Sequence, residues 1–335
     1  MKKILITGAA GFIGFHTARA CMDKGYHVIG IDNLNDYYDP ALKLARLKIL
    51  EGYDAFSFYK LDIADSDAMA VFFKDHQDIR AIIHLAAQAG VRYSIENPKA
   101  YSDSNLSGFL NMLEGARELQ NVGVLKHFVY ASSSSVYGGN TKVPFSVDDP
   151  VDNPVSFYAA TKRSGELMSQ AYANLYQIPS TGLRFFTVYG PWGRPDMAYF
   201  SFTKNILEGL PISVFNNGKM QRDFTWYEDI VEGIMAVLTT PPKSGEQGVI
   251  ATAPHRIFNL GNNKAEKLTD FIEVIEQALG IEAEKIMKPM AAGDVEATYA
   301  DISLSQDILG FAPKTPISVG IPKFIQWYKE FYNVG

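Results

Sequence analysis

Among 335 residues there is a single cysteine, Cys21, so the chain cannot form an intrachain disulfide framework. Its stability must come from a packed core, and this cysteine usage fits a reducing cytoplasm. Cys21 falls in an amphipathic helical stretch, where a packed structural thiol is expected rather than a nucleophile. Positive charge is also in short supply. Lysine and arginine total 31 against 37 acids, a net charge of -6. That argues against a basic face and so against non-specific nucleic-acid binding. Any phosphate the chain binds must be met by local arginines. No apolar run approaches the roughly 18 residues of a membrane span. Met1-Lys2-Lys3 before Ile4-Leu5-Ile6 faintly imitates a leader, but the run breaks at Thr7-Gly8 and reads better as a first strand. No repeat, low-complexity segment or metal-ligand spacing of His, Cys and Asp is visible, so no metal and no membrane partner is expected. The expectation is a soluble, cytoplasmic protein.

What remains is a core-forming composition, 47% hydrophobic and 20% charged, in a chain long enough for one large or two fused domains. The first half alternates short apolar runs with helical patterns, as in a doubly wound α/β parallel sheet with crossover helices. Strands are predicted over Lys3 to Thr7, His27 to Ile31, Ala55 to Lys60, Ala81 to Leu85, His127 to Ala131 and Ser180 to Phe186. Helices are predicted near Ile13 to Lys24, Pro40 to Leu50, Ser66 to Asp75, Ala100 to Gln120 and Ser156 to Tyr176. After Gly190 the rhythm loosens, with helices expected near Tyr199 to Glu208, Glu228 to Leu238, Leu268 to Leu279 and Ser318 to Tyr332. This suggests a nucleotide-binding domain over residues 1–186 and a smaller mixed α/β substrate domain over 187–335. Segments at about 226–258 are candidates to return to the first sheet.

Gly8, Gly11 and Gly14, with Phe12 and Ile13 between the last two, form a Gly-x-x-Gly-x-x-Gly loop between the first strand and the first helix. Such glycines let the backbone approach a pyrophosphate, whose charge rests on the helix N-terminus. Asp32 ends the second strand, where a carboxylate accepts hydrogen bonds from both adenosine ribose hydroxyls. It would repel a 2′-phosphate, and Asn33-Leu34-Asn35 offers no arginine to rescue one, so NAD is preferred over NADP. Asp62 and Ile63, after the third strand, are placed to meet the adenine. Leu85, Ala86 and Ala87 offer small side chains where the cofactor backbone passes. His84 is expected to be a packed core histidine.

Tyr158 and Lys162 stand four residues apart on a predicted helix and project from one face. An ammonium close to a phenol lowers the phenol pKa from about 10 towards neutrality, which makes it usable as a base. Alone, such a pair recurs on many solvated helix faces. Here it follows Ser132-Ser133-Ser134-Ser135 and a nucleotide loop.

Together with Ser132 to Gly138 and Arg184-Phe185-Phe186-Thr187-Val188-Tyr189-Gly190-Pro191, these motifs resemble the extended short-chain dehydrogenase/reductase family, and its NAD-dependent nucleotide-sugar epimerases in particular. The likeness spans essentially the whole chain and implies a Rossmann-type first domain. It also implies that Ser133 is the catalytic hydroxyl and Tyr158 the base, with Lys162 binding the nicotinamide ribose and depressing the tyrosine pKa. In this family a sugar 4-hydroxyl is oxidised, the keto sugar turns over, and the hydride returns to its other face.

Related dehydratases place Asp-Glu after the catalytic hydroxyl, and related decarboxylases carry a Glu two residues after it. This chain has Ser134 and Ser135, which favours epimerisation. Galactose-type epimerases typically carry Asn where Thr187 stands. The segments Asp32 to Tyr38 and Gly190 to Ala198 resemble UDP-glucuronate 4-epimerases. The hydroxyls of Ser133, Ser134, Ser135 and Thr187 suit a carboxylate at C6 of a uronic acid. UDP-glucose epimerisation, decarboxylation and a silent NAD-binding regulator are the alternatives. Arg222 matches the family's phosphate-binding arginine and Arg194 is a second candidate. Asp294 is a candidate for the nucleotide ribose, and Arg92 for the sugar. Trp192, Phe200 and Phe224 are expected to build core. The two long helices, 100–120 and 156–176, imply a homodimer by resemblance.

Overall fold

The computed structural model describes residues 2–249, 252–291 and 293–334. Seven parallel strands build one sheet: β1 (Lys3–Thr7), β2 (His27–Asp32), β3 (Phe56–Lys60), β4 (Ile79–His84), β5 (His127–Ser133), β6 (Ser180–Phe185) and β7 (His255–Leu260). Their order across the sheet is β7-β6-β5-β4-β1-β2-β3. The strand order reverses between β1 and β4. That leaves a crevice at the carboxyl ends of these strands, where such sheets bind ligands. Alternate side chains of a strand point to opposite faces. Ile4 and Ile6 of β1 therefore join Phe15 and Val237 in one core, while Leu5 joins Phe72, Phe109 and Leu113 in the other. Burial on both faces explains why these strands read as unbroken apolar runs.

Helices α1 (Phe12–Asp23), α2 (Pro40–Leu50), α3 (Ser66–Asp75), α4 (Gly108–Asn121) and α5 (Phe157–Tyr176) cover the sheet. Their starts follow from local chemistry. The Asp39, Asp65 and Ser156 side chains accept from the backbone N–H groups of Ala41, Ala68 and Ala159, satisfying donors that a helix start leaves unpaired. The stretch 100–120 is helical as expected, with a π-turn at Asp103–Ser107 between Pro98–Ser102 and α4. Within that turn the Asn105 amide accepts from Gln88 N at 2.9 Å and donates to Gln88 O at 2.9 Å. These bonds draw the turn towards the loop after β4.

Beyond β6 the chain builds a third apolar cluster around Tyr189, Tyr199, Phe200, Trp226, Phe271 and Phe324. Phe224 stacks on Phe271 with centroids 3.9 Å apart, and Trp192 packs against Phe15 and Trp327. Helices α6 (Ala198–Leu207), α7 (Tyr227–Leu238), α8 (Leu268–Leu279), α9 (Ser303–Leu309) and α10 (Ile317–Tyr332) complete the chain. Of these, α7 packs back onto α1, and β7 pairs with β6 at the sheet edge. Cys21 is buried against Met235, and burial pushes its thiol up to about 12. Among the described residues no helix is long and apolar enough to cross a membrane.

Candidate active site

A cleft runs along the carboxyl ends of the strands, from Gly8 and Asp32 at one end to Ser133, Tyr158 and Arg194 at the other. Its floor is the glycine loop. Gly8 has φ +71°, and a Cβ there would lie 2.9 Å from the Ala86 backbone nitrogen. At Gly14 a Cβ would lie 2.0 Å from the Gly8 carbonyl oxygen. Only glycine lets loop, helix and the β4 loop close together. Gly11 caps α1 without any side-chain hydrogen bond, so the first N–H groups remain for an outside acceptor. Gly11, Phe12, Ile13, Leu85, Ala86, Ala87 and Ile63 all line this cleft. The cradle fits a dinucleotide pyrophosphate.

Asp32 is buried at the end of β2. Its carboxylate accepts from Ala10 N at 3.2 Å and Leu34 N at 2.9 Å. Burial pushes its pKa up, while Lys43 and Arg46 pull it down. Asn33 lines the cleft beside it and donates at 3.1 Å to Asp62, which with Ile63 is expected near the adenine. Lys43 was not foreseen from sequence. It reaches the same end of the cleft from α2 and donates to the Asn35 carbonyl at 2.9 Å and side chain at 2.6 Å. The one available signal was a charged residue on the buried face of an amphipathic helix. Arg46, one turn further along, is fully buried and donates to Ala10 O and to the Trp192 and Gly193 carbonyls. It ties the glycine loop to the loop that carries Arg194.

At the other end, β5 delivers Ser133 and α5 delivers Tyr158 and Lys162 to one wall. Ser133 Oγ accepts from Ser135 N at 3.1 Å, starting the short 3-10 turn Ser134–Tyr137. Burial raises the Tyr158 pKa, and the Ser133 hydroxyl and the Arg194 guanidinium oppose that rise. The expectation that Lys162 depresses this phenol is not met here. The Lys162 ammonium donates instead to the Ala131 carbonyl at 3.0 Å, and burial lowers its own pKa to about 8. His84 is a core histidine as expected, buried and bonded through Nδ1 to Thr7 Oγ1 at 2.7 Å.

Arg194 forms a two-point pair with Asp196, with Nε to Oδ1 at 3.0 Å, and Tyr37 OH donates to the same carboxylate at 3.2 Å. Arg194 thus sits at the Tyr158 end of the cleft. Tyr37 and Asp196 lie in the segments Asp32 to Tyr38 and Gly190 to Ala198 without a site role of their own, and nothing in the spacing marks Gln88 and Ser104, which also line the cleft. Arg222 and Arg92 meet on one carboxylate. Asp294 lies 3.3 Å from Arg92 Nη2 and 3.9 Å from Arg222 Nη2. Arg92 also lies over the Phe215 ring at 4.1 Å, so it faces Asp294 and Phe215 rather than Tyr158. Ser134, Ser135 and Thr187 are partly exposed. Thr187 heads a short parallel pair with Phe224–Trp226, two residues beyond Phe185, the partner of Ser133 across β5 and β6.

The sequence and the overall fold resemble those of known proteins. The chain is 45% identical to a probable UDP-glucuronate 4-epimerase of Rhizobium meliloti, over 99% of this chain and 98% of the relative. It is 48% identical to UDP-glucuronate 4-epimerase 4 of Arabidopsis thaliana, over 98% of this chain and 76% of that one. The crystal structure of UDP-glucuronic acid 4-epimerase from Bacillus cereus, in complex with UDP-glucuronic acid and NAD, superposes with a TM-score of 0.87. The two are 33% identical, with 98% of this chain and 100% of that one covered. Residues 4–261, from β1 through the end of β7, match the model of one family, and the chain belongs to it: the NAD dependent epimerase/dehydratase family.

Proposed function

We propose that this chain catalyses the NAD-dependent 4-epimerisation of UDP-glucuronate to UDP-galacturonate. The observation that carries this is the assembly of Ser133, Tyr158 and Lys162 on the wall of one cleft with a dinucleotide cradle, followed by serines rather than acids at 134 and 135. The likeness to UDP-glucuronate 4-epimerases over nearly the whole chain supports the same substrate.

Tyr158 removes the proton of the sugar 4-hydroxyl, and Ser133 hydrogen-bonds the same oxygen. Gly8 to Gly14 hold the pyrophosphate, Asp32 the adenosine ribose and Lys162 the nicotinamide ribose. NAD, when bound, takes the C4 hydride and returns it to the opposite face of the keto sugar. Arg222 and Arg92 meet the diphosphate once it displaces Asp294, which is then free for the nucleotide ribose. Arg194 faces the sugar.

A 4-keto uronic acid is a β-keto acid and loses carbon dioxide when its C5–carboxylate bond lines up with the carbonyl π system. Ser134, Ser135 and Thr187 hold that carboxylate near the carbonyl plane and suppress the loss. Incubation with UDP-glucuronate, with products resolved by NMR, tests the reading. UDP-galacturonate is expected. Conversion of UDP-glucose but not the acid would sink the uronate claim, and turnover of neither would point to an NAD-binding regulator. Removing the three hydroxyls should raise the fraction of UDP-pentose; an unchanged ratio refutes their role.

The exposed leucines Leu110 on α4 and Leu167 and Leu175 on α5 support pairing of these helices between two copies of the chain. A dimer mass in solution, lost on Leu110→Lys with Leu167→Lys, checks this. A cytoplasmic location fits the buried, free Cys21.

A further inference from the structure

Glu166 is 1% exposed, two helical turns beyond Tyr158 on the same face of α5, with Lys162 between them. Its carboxylate accepts from Ser132 Oγ at 2.6 Å, from Arg184 Nε at 2.8 Å and Nη2 at 2.9 Å, and from Arg163 Nη1 at 3.0 Å. Ser132 precedes Ser133 on β5, and Arg184 lies beside Ser132 in the β5–β6 register. Arg184 Nη1 in turn donates to Tyr137 OH at 3.0 Å. Tyr137 closes the 3-10 turn that contains Ser134 and Ser135, and its hydroxyl donates to Asn259 on β7 at 2.7 Å. One buried ion pair therefore touches the helix of the base, the strand of the catalytic hydroxyl and the turn that follows it.

We infer that Glu166 and Arg184 are positioning residues, a clamp that fixes α5 against β5 and so sets Tyr158 against Ser133. Stability is a poor reason to keep such a pair. Desolvating two charges offsets most of their attraction, and apolar residues of similar volume often do as well. What apolar packing cannot supply is direction. Four donors converge on one carboxylate, and the two-point Arg184 contact fixes both rotation and translation of the helix. The catalytic pair sits on different elements, so a displacement of about 1 Å at this anchor passes directly into the Tyr158–Ser133 distance. Ser133 is one of the groups that hold the Tyr158 phenol down. Releasing the clamp therefore moves the titration of the base upward. This inference rests on Tyr158 acting as base in the epimerase reading.

The test uses the NAD-loaded full chain and compares wild type with Glu166→Gln, Arg184→Lys and the milder Ser132→Ala. For Glu166→Gln, kcat for UDP-glucuronate should fall at least tenfold, with KM within threefold and the acid limb of the kcat profile moved to higher pH. Ser132→Ala, which leaves the ion pair intact, should show the same pattern at smaller amplitude, and it decides the matter if Glu166→Gln does not fold. A folded variant whose kcat and pH profile match wild type, or whose losses sit in KM alone, overturns the clamp. Should wild type turn over no UDP-sugar, the substrate reading fails and the clamp is judged without substrate. The readout is then the tyrosinate absorbance titration, with each protein referenced to its Tyr158→Phe counterpart. An upward shift in Glu166→Gln supports the clamp, and an unmoved titration refutes it.

Discussion

Lys162 donates its Nζ proton to the Ala131 carbonyl at 3.0 Å from inside the wall of the cleft. Burial alone lowers its pKa to about 8. The folded value lies below the unfolded one, so the unfolded chain binds more protons between pH 8 and about 10.5 and stability rises with pH there. Below pH 8 the charged ammonium carries its full burial penalty, about 3 kcal/mol for a shift of this size. In nucleotide-free protein, Lys162→Met should therefore be more stable than the parent at pH 7, with the gap closing as pH rises from 8 to 10.5. Denaturant unfolding at each pH checks this; a gap that stays constant would mean an ordinary lysine.

Tyr158 lines the cleft between Ser133 and Arg194, and its only polar handle is the phenol oxygen. Tyr158→Phe removes that oxygen and keeps the ring. Turnover should fall by about 10³-fold, the range of a lost acid-base group, while NAD is retained at parental stoichiometry. Rates and bound nucleotide measured on the same preparation decide it, since retained turnover removes Tyr158 from the mechanism.

Asp32 and Lys43 face the same end of the cleft with opposite charges. Asp32→Asn removes the charge that repels a 2′-phosphate and leaves the ammonium that attracts one. Preference should shift from NAD towards NADP by about tenfold or more, as read by titration calorimetry with both dinucleotides. Adding Lys43→Met should erase the gain; if NADP binding persists, Lys43 is not its partner.

Asp223 is fully buried between Phe224 of the third cluster and Ala300 of the cluster that holds Ile4 and Ile6. It accepts from Asn262 N at 2.6 Å, Asn263 N at 3.1 Å, Ala300 N at 3.1 Å and Thr225 Oγ1 at 3.0 Å. Its own carbonyl accepts from Thr187 N at 3.1 Å. Asp223→Asn turns an acceptor into a donor against backbone N–H groups. A loss of about 2–4 kcal/mol in unfolding free energy is expected, and a loss below 1 kcal/mol would show that the junction tolerates it.

Local rules read well along this chain. β1 and α3 begin and end where expected because the unbroken apolar run, Thr7-Gly8 and the Asp65 cap act over a few residues. β7 was harder to see, since His255, Arg256 and Asn259 interrupt its apolar run. Those side chains find partners far away: His255 meets Tyr130 and Arg256 the Thr240 carbonyl. The π-turn at Asp103–Ser107 was illegible for the same reason, as its Asn105 bonds to Gln88 in the loop after β4.

The residue spacing by itself determined the glycine loop, Asp32 at the end of β2, and Tyr158 and Lys162 on one helical face, because each is a short-range consequence of backbone geometry. It also put serines where an eliminating enzyme would carry acids. Only the tertiary structure decided what those groups touch. It turned Lys162 towards Ala131, brought Lys43 to Asn35 at the Asp32 end of the cleft, joined Arg92 and Arg222 through Asp294, and set Glu166 against Arg184. Such charges settle wherever burial leaves them a partner, and the partner is chosen by how the strands and helices pack.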